Sequence, residues 1–393
     1  MKKNIRDFNL DNKKVIIRCD FNVPLKDGQI NDDSRIVSSL PTIEYALKQN
    51  AKIILLSHLG RVKTVEDQNK NNLEVVASRL SELLNHKVLF IEETRGDKLE
   101  KAISNMKAKD IILVQNTRYE DLDGKKESSN DEQLGKYWAS LGDIFINDAF
   151  GTIHRSHASN VGIASNLDSG IGLLVENELN KLSLLDEPQK PFMVILGGAK
   201  ISDKIGVVKS LIEKSDYILI GGGMAFTFLK AQGKKIGTSV VDEESIDFAK
   251  EMLDIAKDKI ILPVDLKVTK EFSNEAPSRI SDVNDIKEDE MGLDIGPKTI
   301  ELFKEQLKNA KTIFWNGTLG YSEFSNYEDG TKEIMQEITK LQAKSILGGG
   351  DTVAAANWFN VKDKVTHAST GGGATLEYIE GKKLPGLSCI CNK

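Results

Sequence analysis

Four short apolar runs in the second half of this chain each drive straight into glycine. They read Val194-Ile195-Leu196-Gly197-Gly198, Ile218-Leu219-Ile220-Gly221-Gly222-Gly223, Ser345-Ile346-Leu347-Gly348-Gly349-Gly350 and His367-Ala368-Ser369-Thr370-Gly371-Gly372-Gly373. A pattern typical of a helix start follows each one. A strand that ends in glycine and opens a helix lets backbone N–H groups approach a phosphate with no Cβ in the way. Four such turns, placed alike, suggest a surface for a polyphosphate.

Strand and helix signals alternate along the rest of the chain, which favours α/β with largely parallel sheets. In the first half the pattern predicts strands at 15–19, 53–57, 88–91, 111–115 and 144–147, with helices such as 37–49 and 73–84 between them. In the second half it predicts strands at 192–196, 217–220, 260–262, 312–315, 345–347 and 365–368, and helices including 203–214, 243–257 and 352–359. At 393 residues the chain exceeds what one core usually serves. The expected architecture is two Rossmann-like lobes, each a mostly parallel sheet flanked by helices, joined by a connecting helix. Residues 174–185 read as that helix, stopped by Pro188 and Pro191 before the next strand. This gives an N-terminal lobe at 1–173, a connector and hinge at 174–188 and a C-terminal lobe at 189–376.

The two halves offer an anion different chemistry. Of the nine arginines only Arg279 lies beyond residue 155, whereas every glycine run lies beyond residue 196. Arginine supplies a planar fork of donors for carboxylate or phosphate, and glycine turns supply backbone donors. Arg61, Arg118 and Arg155 sit just past predicted strands, where ligands bind in open α/β sheets, and Asp20 and Asn22 leave the first strand the same way. Each arginine alone reads equally well as a surface ion pair; the recurrence favours a site. Lys200 and Lys204 read as residues of a first helical turn, where a cation opposes the helix dipole unless an anion is present. Asp351 reads as an N-cap or as a carboxylate for a magnesium ion carried on nucleotide phosphates. No stretch fits the P-loop, the dinucleotide fingerprint or protein-kinase signatures.

A net charge of −6 argues against nonspecific binding to nucleic acid or acidic membrane. No apolar run approaches the roughly 20 residues of a membrane span, and no apolar stretch follows the basic N-terminal residues as in a signal peptide. Cys19, Cys389 and Cys391 form neither a disulfide framework nor, with histidines, a zinc site. A reduced cytoplasmic setting is expected.

With these residues assembled, the chain resembles the phosphoglycerate kinase family. The matching stretches are Arg18-Cys19-Asp20-Phe21-Asn22-Val23-Pro24, Ser57-His58-Leu59-Gly60-Arg61, Asn147-Asp148-Ala149-Phe150-Gly151-Thr152 and Leu196-Gly197-Gly198-Ala199-Lys200-Ile201-Ser202-Asp203-Lys204. Gly221-Gly222-Gly223-Met224-Ala225-Phe226, Trp315-Asn316-Gly317, Gly348-Gly349-Gly350-Asp351-Thr352 and Ser369-Thr370-Gly371-Gly372-Gly373-Ala374 follow in family order.

The resemblance implies reversible phosphoryl transfer between 1,3-bisphosphoglycerate and ADP, with Mg²⁺ as cofactor. It implies phosphoglycerate binding by Asp20, Asn22, Arg35, His58, Arg61, Arg118 and Arg155. The nucleotide would lie against Gly198, Ala199, Lys204, Gly222, Gly292, Leu293, Asn316, Glu323, Gly350, Asp351 and Thr352, with Glu323 at the ribose and Asp351 toward the metal. Arg35, Lys200, Gly371, Gly372 and Gly373 would face the phosphoryl group in transit. The resemblance also implies a monomer, and a C-terminal segment, 377–393, that returns to the N-terminal lobe. The chain departs from the family at Val62 and Thr318, where proline is usual, at Gln115, where glutamate is common, and at Tyr321 and Ser322, which replace a more apolar pair. Two other readings share these features: an ATP-dependent carboxylate-activating ligase, and a two-lobe anion-binding protein without catalysis.

Overall fold

The structure, a computed structural model, describes residues 2–393. The chain divides into two compact units, Met1–Asn180 with Lys383–Lys393, and Lys181–Lys382.

The first unit is built on a six-stranded sheet in the order Val88–Ile91, Ile111–Val114, Lys52–Leu56, Lys14–Arg18, Ile144–Asn147, Ser169–Ile171, and every pairing is parallel. Helices bury both faces of such a sheet, so its inner strands read as unbroken apolar runs rather than alternating ones. Ile111–Val114 and Ile144–Asn147 are buried at every position. The last residues of the chain belong to this unit. Lys3 N–H donates to the Cys391 carbonyl at 2.9 Å, and Asn147 Nδ2 donates to the Gly386 carbonyl at 3.0 Å.

The second unit has its own six-stranded parallel sheet, ordered Ile260–Ile261, Tyr217–Ile220, Phe192–Leu196, Thr312–Asn316, Lys344–Gly348, His367–Ala368. It also carries an antiparallel sheet, Ser278–Asp282, Asp265–Thr269 and Met291–Ile295, which the sequence pattern did not predict. Ser278–Asp282 is polar and largely exposed, so it lacks the apolar run that marks a buried strand.

Three local expectations are corrected. The connecting helix is α-helical only over Leu173–Leu182 and tightens to a 3₁₀ turn at Ser183–Leu185. Lys200 and Lys204 do not share a first helical turn: a 3₁₀ turn at Ser202–Lys204 intervenes, and Lys204 is the N-cap of Ile205–Lys214. Asp351 is not an N-cap either. Gly349 holds that place, and Asp351 lies in the first turn of Gly350–Trp358.

Candidate active site

Four adjacent strands of the first unit end side by side, and their exits carry the polar residues. Lys14–Arg18 leads to Asp20 and Asn22, Lys52–Leu56 to His58 and Arg61, Ile111–Val114 to Arg118, and Ile144–Asn147 to Arg155. Because all four are parallel, these exits share the carboxyl edge of one sheet. Arg35, from the helix Ser34–Lys48, reaches the group: its Nη1 donates to Asp20 Oδ2 at 2.6 Å. Asn22 Oδ1 accepts from Gly60 N–H at 2.8 Å, tying the first exit to the second. Gly151 presses the fourth exit onto the same pair, since a Cβ there would lie 2.4 Å from Asp20 Oδ2. Arg61 and Arg118 line one cavity of about 640 Å³ with Lys63 and Lys125. Arg155 is exposed, its Nε 3.2 Å from His154 Nε2.

The departure at Gln115 leaves the local geometry supplied. Its Oε1 accepts from Leu73 N–H at 3.1 Å and Asn116 N–H at 2.8 Å, as a carboxylate oxygen could. Asn116 in turn clamps Leu59 through both its amide oxygen and nitrogen, at 3.1 and 2.7 Å.

Cations dominate this edge, and they decide the state of its histidines. Burial first, then Arg18, Arg118 and neighbouring cations, holds His58 well below the ordinary histidine range. Burial and the same arginines push His157 down to about 3, and burial with Arg155 pushes His154 down to about 4. All three are therefore neutral near pH 7. They act as hydrogen-bonding groups, not as charges. The sequence reading missed His154, His157 and the buried acid Glu127, which lies 3.7 Å from His157 Nδ1.

In the second unit three turns interlock. Gly197 N–H donates to the Asn316 carbonyl, Gly198 N–H to Thr318 and Gly222 N–H to Leu319, each at 2.9 Å. The approach is too close for side chains. A Cβ on Gly317, whose φ is 90°, would stand 2.3 Å from the Gly197 carbonyl oxygen. Asn316 Nδ2 donates to the Gly348 carbonyl at 2.9 Å, and Thr352 Oγ1 accepts from Gly317 N–H at 2.6 Å. Lys204 is buried, and its Nζ donates to the Gly197 carbonyl at 2.7 Å. These three side chains hold the turns. Gly350 and Gly372 differ: nothing lies within 4 Å of a Cβ built on either, which leaves room for a ligand.

Beside the interlocked turns lies a cavity of about 330 Å³. Of the residues that the resemblance assigns to the nucleotide, Gly198, Ala199, Gly222, Gly292, Leu293, Glu323 and Asp351 line it; Lys204, Asn316, Gly350 and Thr352 do not. Its apolar walls include Tyr321, which the resemblance placed beside the nucleoside, and Phe226, Val240, Phe272 and Met291, which the sequence reading did not assign. Phe272 and Tyr321 meet edge to face with centroids 4.8 Å apart. Lys200 is exposed beside Ala199, and Gly371, Gly372 and Gly373 form the turn between His367–Ala368 and the helix Gly373–Ile379.

Among the described residues no group of three or more His, Cys, Asp or Glu could hold a metal ion by itself. Magnesium on nucleotide phosphates asks for less, one or two carboxylates beside the phosphate oxygens. Asp351, exposed at the cavity, fits that requirement.

The chain is similar to known proteins over nearly its whole length. A family profile described as phosphoglycerate kinase matches residues 5–382. A phosphoglycerate kinase of Macrococcus caseolyticus is 55% identical over 395 aligned residues, and one of Listeria innocua 56% over 394, each alignment covering 100% of both chains. The solved structure of phosphoglycerate kinase from Coxiella burnetii matches with a TM-score of 0.88 at 39% identity, covering 99% of this chain and 98% of that one. The enzyme from Pyrococcus horikoshii matches with a TM-score of 0.86 at 31% identity, covering 98% of each chain.

Proposed function

The chain belongs to the phosphoglycerate kinase family and is an enzyme, and from that premise we propose that it catalyses reversible, Mg²⁺-dependent phosphoryl transfer between 1,3-bisphosphoglycerate and ADP, giving 3-phosphoglycerate and ATP in glycolysis and gluconeogenesis. Membership sets aside the ligase and the non-catalytic binding protein. The observation that carries the reading is the pairing of two anion-holding edges in one chain: a cationic strand edge in one unit, and glycine turns around a cavity in the other.

Phosphoryl transfer asks a protein for alignment and charge stabilisation more than for covalent chemistry. In the direction that consumes ATP the acceptor is a carboxylate, with an unperturbed pKa of about 4, so it arrives ionised and needs no general base. Asp20, Asn22, Arg35, His58, Arg61, Arg118 and Arg155 bind the phosphoglycerate. Gly198, Ala199, Gly222, Gly292, Leu293 and Glu323 hold the nucleoside, Lys204, Asn316 and Thr352 support its phosphates through the turns they fix, and Gly350 leaves room for them. Arg35, Lys200 and the N–H groups of Gly371, Gly372 and Gly373 offset the negative charge that gathers during transfer. Magnesium, held at Asp351, supplies positive charge to the nucleotide phosphates when bound. Hinge closure brings the two ligands together and excludes water that would hydrolyse the acyl phosphate. The enzyme works as a cytoplasmic monomer on small molecules, with neither nucleic acid nor membrane as partner; no helix of the described residues is long and apolar enough to cross a membrane.

The test is ATP consumption with 3-phosphoglycerate, read through reduction of the acyl-phosphate product. Turnover that requires both magnesium and 3-phosphoglycerate is expected. Activity that demands an amine or thiol acceptor would overturn the assignment.

A further inference from the structure

Arg18 has no part in the roles above, yet it is a completely enclosed cation beside the proposed phosphoglycerate site. It ends the strand Lys14–Arg18 and is 0% exposed. Its Nε donates to Ser159 Oγ at 2.8 Å, its Nη1 donates to the Cys19 carbonyl, and its Nη2 lies 3.2 Å from His58 Nδ1. Behind it, Ser159 donates to Glu127 twice, from Oγ at 2.5 Å and from N–H at 2.9 Å, and Glu127 is itself 0% exposed. The guanidinium is thus held on several sides.

A guanidinium carries only donors and does not lose its proton at any working pH. A nitrogen facing Nη2 must therefore offer a lone pair. We propose that Arg18 is a positioning residue that locks His58 in its neutral tautomer with the proton on Nε2, so that the ring meets the phosphoglycerate as a fixed hydrogen-bond donor. The opposite tautomer would turn a lone pair on Nε2 toward an anion. The imidazolium would set an Nδ1–H against the guanidinium. The other groups that bear on His58 are Arg35 from the helix Ser34–Lys48, Arg118 from the turn Thr117–Asp121, and His157, and all three disfavour a charged ring. His58 then donates unchanged across the range in which a substrate phosphate titrates, near a pKa of about 6. This rests on the reading of the cationic edge as the phosphoglycerate site.

The first test needs no substrate and uses a variant only to assign the ring. Long-range ¹H–¹⁵N spectra of the ligand-free enzyme, with His58 assigned through H58Q, are expected to show Nδ1 bare and Nε2 protonated from pH 8 to 5.5. A protonated Nδ1, or a titration near the ordinary value of about 6.5, overturns the proposal. In R18M burial, Arg118 and Arg35 still disfavour a charged ring, so the ring is expected to stay neutral but to populate both tautomers. KM for 3-phosphoglycerate should rise about tenfold at pH 8, the value of one charge-assisted hydrogen bond, with KM for ATP little changed. Because the ring stays neutral in both proteins, the ratio of variant to wild-type KM should hold between pH 8 and 5.5; the titration of the substrate cancels in that ratio. A variant ring that keeps its proton on Nε2 alone would reduce Arg18 to packing and overturn the proposal. Absence of any turnover with 3-phosphoglycerate would instead sink the proposed function, while the ring spectrum stays readable.

Discussion

The two units hold anions with different parts, and their helix starts show it most plainly. In the first unit carboxylates occupy the free N–H groups of a helix: Asp148 Oδ1 accepts from Leu174 and Val175 at the start of Leu173–Leu182, and Asp131 caps Glu132–Ser140. Anion binding there falls to side chains, Arg35, Arg61, Arg118 and Arg155. In the second unit Met224–Ala231, Gly350–Trp358 and Gly373–Ile379 start from glycine N-caps with no side-chain cap. Helix starts left open in this way are donors for a phosphate. The contrast belongs to these helices and not to every helix start: Asp97–Ser104 of the first unit also begins from an uncapped glycine, and in the second unit Asp265 accepts the N–H groups of Lys298 and Thr299 at the start of Pro297–Leu307.

If that contrast is right, Lys200 is the cation of the second unit whose loss costs most, because of that unit's own groups only backbone dipoles then face the transferring group, beside Arg35 and the magnesium. Lys200→Ala is expected to lower kcat by about 10²–10³-fold, the range for removing one charge-stabilising donor, while nucleotide affinity changes little. Near-normal turnover in steady-state assays would remove Lys200 from the proposed centre.

The glycines of the second unit should then separate into two kinds. Gly317→Ala forces an alanine to φ 90° and drives a Cβ to 2.3 Å from the Gly197 carbonyl oxygen. Strain and overpacking together are expected to cost about 3 kcal/mol of stability or more. Gly350→Ala meets nothing within 4 Å, so urea unfolding should leave its stability within about 1 kcal/mol of wild type while calorimetry shows weaker nucleotide binding. Equal destabilisation by both would erase the division between glycines that let turns meet and glycines that face a ligand.

The same contrast explains what the sequence revealed. The strand ends of the first unit were legible because buried parallel strands leave unbroken apolar runs, and Arg61, Arg118 and Arg155 follow those runs by position alone. Glu127 and Ser159 were not, since a glutamate among serines reads as surface until Arg18 is found buried against it. The cavity walls were hidden for another reason. Phe226, Phe272 and Met291 are ordinary apolar residues whose convergence comes only from topology, including an antiparallel sheet with a mostly polar strand. Lys204 shows the limit of motif reading, because its ammonium fixes the Gly197 turn that the motif presents. The hairpin Leu25–Lys26 to Gln29–Ile30 was readable in principle, with Asp27-Gly28 at its turn and φ positive at both.

Acidification should separate the units in opposite directions. In the first, His154 and His157 are held down to about 4 and about 3, and His58 is also depressed. Below about pH 6.5 the unfolded chain takes up protons that the folded unit refuses, so stability is lost as pH falls, by up to about 1.4 kcal/mol per pH unit for each group. Asp148, pushed up to about 7 by burial, offsets one of the three. In the second unit Asp294 is pushed up to about 8 by burial, so the folded form binds the extra proton and gains stability as pH falls through that value. Urea unfolding followed through Trp138 in one unit and Trp315 in the other should show diverging trends between pH 6.5 and 5. Parallel trends would mean that the histidines are not held neutral.

The smallest expected effect is at Asp148, where the two strategies can be exchanged. Its Oδ1 accepts the N–H groups of Leu174 and Val175 at 3.0 and 3.3 Å, while its Oδ2 is buried without a partner. Asp148→Ala removes the cap and should cost about 1 kcal/mol at pH 5. Asp148→Asn keeps an acceptor oxygen and should cost less. The sign then depends on pH. The folded value, about 7, lies above the ordinary carboxylate value, so the wild type loses stability as pH rises from 4 through 7 and this residue ionises in a dry site. Neither variant carries that penalty. At pH 8 the cost of Asp148→Ala should therefore shrink, and Asp148→Asn should match or exceed the wild type. A cost for Asp148→Ala that grows with pH would show that the ionised carboxylate is the form the helix start prefers. The first unit would then hold a charge at that helix start, as the second unit is proposed to do with phosphate.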